Sequence, residues 1–330
     1  MALIWDVRDI PPEVRCGAVS VGNFDGVHQG HAALIARLLL HARDIAGPSV
    51  VLTFDPHPAA ILRPGSEPLR LTTLERRSEL LHRLGVEHVV VVSTSGGLLQ
   101  QTAEEFFHDI LRGTFSARAI VEGPNFYFGR GRTGTPDLLQ QWSAAVGVRC
   151  EVVRPAVEGN HLISSTEIRR LLHSGEISAA NRLLTAPYQL AGTVVRGDQR
   201  GRTLGFPTAN LANIQTLIPG AGVYATRVHV AGRTYAGATH LGPRPTFESS
   251  SQPLVETHLI DFQGDLYDAP LAIDFLGLLR AVRRFDSATE LISQMHHDIQ
   301  AAARLFRYLE ERPILAEDRL ERAPRNEISS

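Results

Sequence analysis

Three groups of side chains have the types and spacing needed for chemistry on phosphates. The first is His28 and His31 in GNFDGVHQGH, residues 22–31, which lies between an apolar run and a helix-patterned segment that begins at residue 32. Gly22, Gly26 and Gly30 allow a tight turn and a close approach of backbone to a ligand, and the start of the helix offers unpaired N–H groups and partial positive charge to an anion. Two imidazoles at such a corner can donate hydrogen bonds to phosphoryl oxygens that gain charge in a transition state. The second group is Thr208 and Asn210 in GRTLGFPTANL, residues 201–211. Alternate residues of an extended segment point the same way, so this hydroxyl and carboxamide could share a hard cation such as Mg²⁺. The third is Glu256 in VETHLIDF, either a base for an attacking hydroxyl or a strand carboxylate that faces solvent.

Further segments offer supporting groups. Pro56 and Pro58 set the path of TFDPHP around His57, although a lone histidine in such a loop is more often structural. GPNFYFG, residues 123–129, carries Asn125 and Phe128 just before Arg130 and Arg132; it suits a planar ring and a phosphate, and equally a hydrophobic strand end with solvated arginines. ISSTEIR places Ser164, Ser165 and Thr166 at a helix start with Arg169 in the first turns. An N-cap accounts for one hydroxyl, and three with an arginine point to a second phosphate contact. Gly197, Arg202, Gly205 and Pro207 shape the Gly- and Arg-rich loop that precedes Thr208.

The elements that must position these groups follow from periodicity. Through residue 153, β-rich runs at residues 49–54, 88–92, 119–121 and 148–153 alternate with helix-patterned stretches such as residues 74–84 and 103–111. That alternation predicts an α/β domain with a doubly wound parallel sheet, whose ligands sit at the carboxyl ends of the strands, where residues 22–31, 53–58 and 123–129 all fall. The pattern changes near Pro187, so the expected domains are residues 1–186 and 187–312, with a charged, disordered tail at residues 313–330. Runs at residues 190–195, 223–230, 234–241, 255–260 and 271–276 predict a small antiparallel β-barrel. A long helix over residues 287–310 follows, with an apolar stripe that includes Leu291, Met295, Ile299 and Leu305 and reads as core.

Composition narrows the chemistry. The chain has 330 residues, 43% hydrophobic and 21% charged, which is enough for two cores. It contains no lysine, so all 33 residues counted as Lys+Arg are arginine. Schiff-base and Walker-type lysine chemistry is thereby excluded, and phosphate must be handled by Arg, His, backbone N–H groups and metal. A formal net charge of -2 does not favour nucleic acid or an anionic membrane as partner. Cys16 and Cys150 have no metal-ligand or C-x-x-C spacing, and there is neither a signal-peptide pattern nor an apolar run of about 18 residues, so a cytoplasmic location is expected.

The H-x-G-H of residues 28–31 resembles the signature of the nucleotidyltransferase superfamily. The ordered set GNFDGVHQGH, TFDPHP, GPNFYFG, ISSTEIR, GRTLGFPTANL, GVY, GPRPTFE, VETHLIDF and GDLY resembles the bacterial bifunctional riboflavin kinase/FAD synthetase family over nearly the whole chain. Gln29 stands where a basic residue is frequent, Gly123-Pro124-Asn125 extends a variable loop, and Asp268 follows GDLY where glycine is usual. The resemblance implies a C-terminal riboflavin kinase domain that phosphorylates riboflavin to FMN, with Mg²⁺ at Thr208 and Asn210, Glu256 as base and ATP under residues 197–205. It implies an N-terminal domain that joins FMN to a second ATP, giving FAD and pyrophosphate. There His28 and His31 stabilise charge, Asn125 and Arg169 hold flavin phosphate and triphosphate, and Gly22, Phe24 and Asp25 shape the adenosine pocket. By the same resemblance Gly30, Ser164, Ser165 and Thr166 join the nucleotide site, Pro56, His57, Pro58 and Phe128 join the flavin site, and a monomer or weak homo-oligomer is expected. The rival readings are a monofunctional adenylyltransferase with a ligand-binding barrel and a non-catalytic flavin-binding protein.

Overall fold

The computed structural model describes residues 4–5, 10–94, 97–158, 161–197, 201, 204–243 and 253–311. Arg202, residues 244–248 of GPRPTFE and the tail expected at residues 313–330 lie outside the described residues. In the first unit, Met1–Glu167, the β-rich runs form one parallel sheet of β1 (Ile4–Trp5), β2 (Ala18–Val21), β3 (Ser49–Asp55), β4 (His88–Ser93), β5 (Ala119–Glu122) and β6 (Arg149–Val152), in the order β1-β4-β3-β2-β5-β6. Sequences such as SVVLTFD in β3 and HVVVVS in β4 are near-continuous apolar runs, as strands buried on both faces must be. The connecting helices include α1 (Gln29–Asp44), α2 (Pro58–Leu62), α3 (Leu74–Arg83), α4 (Ala103–Glu105), which continues into π-helical Phe106–Thr114, and α5 (Pro136–Ala145).

The chain leaves β2 for β3 and β4 on one side and returns to β5 and β6 on the other. Strand order therefore reverses between β2 and β5, the place where an open parallel sheet forms a ligand crevice at its carboxyl ends. The loops that follow β2 and β5 are those that carry His28 and Asn125. This is the doubly wound α/β architecture expected from the alternation of runs.

The second unit is Ile168–Ser330. It takes most of α6 (Ser165–His173), then α7 (Ile177–Leu183), β9 (Gln189–Val195), β10 (Ala209–Ala212), β11 (Gly222–Val230), β12 (Arg233–Gly242), β13 (Leu254–Leu259), β14 (Pro270–Arg280) and α8 (Ala288–Glu311); a hairpin of β7 (Val157–Glu158) and β8 (His161–Leu162) precedes it. Strands β10-β13-β12-β11-β14-β9 close into a barrel, antiparallel throughout. Alternation decides the two faces: buried Thr226, Thr239 and Thr257 join in a hydroxyl chain at 2.9 and 2.8 Å, whereas Asn210, His240 and Glu256 belong to the opposite face. The sequence places the domain boundary after residue 186, yet α7 is attached to the barrel: Asn181 donates to the Phe275 carbonyl and accepts from the Tyr188 N–H, each at 2.8 Å.

Helix α8 corrects the reading of its apolar stripe as core throughout. Leu305, Phe306 and Leu309 pack against buried Ala225 and Leu276, but Leu291, Met295 and Ile299, nearer the helix start, form the wall of a cavity.

Candidate active sites

The corner after β2 is built by the histidines themselves. His28 is the N-cap of α1; its Nδ1 accepts the His31 N–H, and His31 Nδ1 accepts the His28 N–H, both at 3.3 Å. With each Nδ1 acting as acceptor, the proton of each neutral ring sits on Nε2. The rings stack at 3.6 Å with 13° between their planes. Burial, the adjacent His28 and then Arg77 hold His31 well below the usual imidazole range, so it is neutral at neutral pH. Gly30 permits this stack, because a Cβ there would lie 3.1 Å from both Cε1 and Nδ1 of His28. Phe24 is buried and packs its ring under Gly22 and 5.0 Å from that of His31.

Asp25 serves the loop rather than presenting an open carboxylate. It accepts the N–H groups of Leu71 and Thr72 and the Thr72 hydroxyl at 3.0–3.1 Å, and pairs with buried Arg77 at 3.4 Å. Arg77 also donates to Thr53 Oγ1 at 3.1 Å, which ties α3 to β3 beneath the corner. Ser165 donates to the Asp25 carbonyl at 2.9 Å, and Ser164 caps α6 by accepting the Glu167 N–H at 3.2 Å, which leaves Thr166 as the exposed hydroxyl of the three. Arg169 lies one turn along α6 from Ser165.

His57 between Pro56 and Pro58 is the N-cap of α2, its Nδ1 accepting the Ala59 N–H at 3.0 Å. In the third loop Asn125 is exposed and Tyr127 lies under Arg132, 5.0 Å from its ring centroid. Phe128 is not a surface ring: it is 6% exposed and packs between Phe106, Phe126 and Trp142, so it supports the loop from the core.

Glu122, which sequence reasoning passed over, sits where β2 and β5 separate. The two strands pair only at Ala18–Ala119 and Val19–Ile120, and beyond that the Glu122 carboxyl takes the Val21 N–H at 2.6 Å. Burial pushes its pKa well above the ordinary 4.5, more than this hydrogen bond lowers it. The native state then holds a proton that the unfolded chain releases, so this group's contribution is complete below pH 4.5 and is lost as pH rises toward the folded value. Glu122→Gln is expected to match the parent in denaturation midpoint in acid and to exceed it at neutral pH. Parallel midpoint curves against pH would contradict the assignment.

The barrel site has its own geometry. Asn210 lies directly opposite Glu256 in the β10–β13 register, with Thr208 two residues earlier on the same segment. They border a cavity of about 770 Å³ whose other walls include Gly197, Gly201, Phe285 and Met295. Gly197 passes so close over Asn210 that a Cβ there would lie 2.4 Å from Nδ2 and 2.7 Å from Oδ1. Gly205 occupies the turn at φ +87°, and the Pro207 carbonyl accepts His258 Nδ1–H at 2.8 Å, which anchors the Thr208 segment to β13. Glu256 is neither solvent-facing nor sealed in; its side chain is 28% exposed at the cavity edge. Across the cavity Arg280 is bidentate on Asp298 of α8, at 3.1 and 2.8 Å, and Gln294 donates to the same carboxylate.

The donors at this site suit a hard cation. No group of three or more His, Cys, Asp or Glu side chains able to hold a metal occurs among the described residues. The oxygens on offer are the Thr208 hydroxyl and the Asn210 carboxamide under a glycine backbone, a sparse neutral set that matches Mg²⁺ when it keeps water and phosphate ligands.

Comparison with known proteins follows this division. Residues 11–167 match the FAD synthetase family and residues 184–306 the riboflavin kinase family. The bifunctional riboflavin kinase/FMN adenylyltransferase of Pseudomonas fluorescens is 34% identical over 305 residues, 92% of this chain and 98% of that one. The protein of the same name in Escherichia coli K12 is 34% identical over 308 residues, 93% of this chain and 98% of its own length. A crystal structure described as a macrolide-efflux protein from Streptococcus pneumoniae shares the fold with a TM-score of 0.82 and 30% identity, over 92% of this chain and 99% of that one. Among the described residues of this chain no helix is long and apolar enough to cross a membrane.

Proposed function

Because the chain belongs to the family of bifunctional riboflavin kinase/FMN adenylyltransferases, we propose that the barrel site and the histidine corner carry out its two reactions in turn. The carrying observation is the register that sets Asn210 beside Glu256 at the rim of a cavity with an apolar wall. A flavin ring fits the wall formed by Phe285, Leu291 and Met295, with its ribityl hydroxyl toward Glu256. Glu256 accepts the proton of that hydroxyl as its oxygen takes the γ-phosphoryl group of ATP. Thr208 and Asn210 would hold Mg²⁺, which when bound neutralises phosphate charge. Residues 197–205, with Gly197, Arg202 and Gly205, would cover the phosphates, and Pro207 would border the same nucleotide site.

At the histidine corner the FMN phosphate is already an anionic nucleophile, so positioning and charge stabilisation suffice without a covalent intermediate. Nε2–H of His28 and of His31 donates to the ATP phosphates as pyrophosphate leaves. Asn125 and Arg169 hold flavin phosphate and triphosphate. Gly22, Phe24, Asp25 and Gly30 shape the adenosine side, where Asp25 acts through the backbone it organises, and Ser164, Ser165 and Thr166 complete the phosphate contacts. Pro56, His57 and Pro58 border the flavin, with Phe128 beneath. Residues 1–186 carry the adenylyl transfer and residues 187–312 the kinase reaction.

The substrates are small soluble molecules, which supports a cytoplasmic enzyme that acts without nucleic acid or membrane, as a monomer or weak homo-oligomer. Free Cys16 and Cys150 suit a reducing compartment. A time course with riboflavin, ATP and Mg²⁺ is expected to show FMN rising first and FAD with pyrophosphate following. Flavin binding without either product would overturn the reading.

A further inference from the structure

Glu256 has one ionic partner among the described residues, His240, whose Nδ1 stands 3.9 Å from Glu256 Oε2. His240 is directly opposite Glu256 in the β12–β13 register, as Asn210 is on the other side, so the three form one row across β10, β13 and β12 at the cavity. The imidazole is seated in space that Gly242, two residues along the same strand face, leaves open: a Cβ there would come within 2.7 Å of Cε1 and 2.9 Å of Nε2. In that seat Cε1 and Nε2 lie nearest Gly242, and Nδ1 is the ring nitrogen within 4 Å of the carboxylate. The pair is half-screened, 37% and 28% exposed, and so is open to the cavity on one side.

Other ionisable groups around the cavity are engaged elsewhere. His258 is turned to the Pro207 carbonyl, Arg280 to Asp298, Arg283 to Gln294 at 3.0 Å and Glu290 at 3.5 Å, and Arg196 lies 5.0 Å from the Tyr267 ring centroid. The neighbours across from the pair on β11 and β10, Val223 and Asn210, are uncharged.

We propose that His240 is a positioning residue for the kinase reaction, one that orients the Glu256 carboxylate toward the attacking hydroxyl. The inference rests on the reading of Glu256 as the base. In the transfer the riboflavin O–H bond breaks as its oxygen bonds the γ-phosphorus. The bond from that phosphorus to the bridging oxygen breaks, ADP leaves with the electron pair, and the proton goes to Glu256. A His240 ring with its proton on Nδ1 presents an N–H dipole to Oε2 across 3.9 Å, a contact longer than a hydrogen bond that favours one carboxylate orientation by charge alone.

The test follows FMN formation against riboflavin concentration in the full chain for His240→Gln, His240→Ala and Glu256→Gln. Both His240 variants are expected to lose about tenfold in kcat with KM for riboflavin within about twofold. Added imidazole restores part of the rate of His240→Ala, whose seat over Gly242 is empty, and not that of His240→Gln. Unchanged kcat in both variants beside an inactive Glu256→Gln would overturn the role of His240 alone, as would a change confined to KM. A fully active Glu256→Gln would overturn the base itself. Should His240→Ala fail to fold, kcat and KM of His240→Gln decide.

Discussion

Glu256→Ala is expected to abolish FMN formation from riboflavin and ATP while the same chain still converts supplied FMN to FAD. The ribityl hydroxyl is a poor nucleophile until its proton is accepted, and a positioned general base contributes about 10²–10⁴-fold to such a step. Glu256 is the carboxylate set beside Asn210 by strand register at the cavity. Asn210→Ala should give the same pattern by loss of an oxygen donor for Mg²⁺. Glu256→Gln keeps shape and hydrogen bonding but cannot take the proton, so its loss of kcat at unchanged thermal midpoint separates chemistry from folding. Full kinase activity in either alanine variant would remove the barrel from the assignment, and loss of both activities together would mean that the two sites are not independent.

The second large effect concerns the corner. Replacing both His28 and His31 is expected to lower FAD formation by about 10²–10³ for each donor lost, with FMN affinity little changed, because the donors act on charge that develops during transfer. His28 also caps α1, and loss of an N-cap costs about 1 kcal/mol, so alanine alone mixes stability with catalysis. His28→Ser retains a capping oxygen but lacks the reach of the imidazole. A large loss of rate in His28→Ser at an unchanged thermal midpoint, with kinase activity intact, assigns the loss to phosphate contacts. Rates within a fewfold of the parent would show that the stacked pair is a capping device only.

The site was legible in the sequence wherever chemistry and geometry are local. His28 and His31 are three residues apart, and the Gly-rich turn and helix start that orient them lie in the same ten residues, so the pair could be read from one segment. That one of Ser164, Ser165 and Thr166 caps a helix could be read for the same reason, and the structure assigns the cap to Ser164. Thr208 and Glu256 were legible as residue types, but no spacing in the chain says that Glu256 stands opposite Asn210 and His240. Arg77 and Glu122 left no signal, because the first looks like one more arginine on a charged helix and the second like the polar end of an apolar run. Asp25 had the right type for a ligand contact, yet its acceptor capacity is taken up by Leu71, Thr72 and Arg77 from a distant part of the chain. Phe128 looked available to a flavin until the packing of Phe106 and Trp142 enclosed it.

By itself the sequence determined the element types, the order of the two domains, the reliance on arginine, histidine and backbone groups in a chain without lysine, and the conformation of the histidine turn. These follow from interactions among residues a few positions apart: apolar periodicity, glycine placement and capping. Only the tertiary structure decided the crevice between β2 and β5, the row Asn210–Glu256–His240, the part of α8 that faces a cavity instead of the core, and the protonation of His31 and Glu122. Cross-strand register is set when distant segments close a sheet or barrel, and desolvation depends on every segment that packs around a group, so neither is encoded at any one stretch of chain.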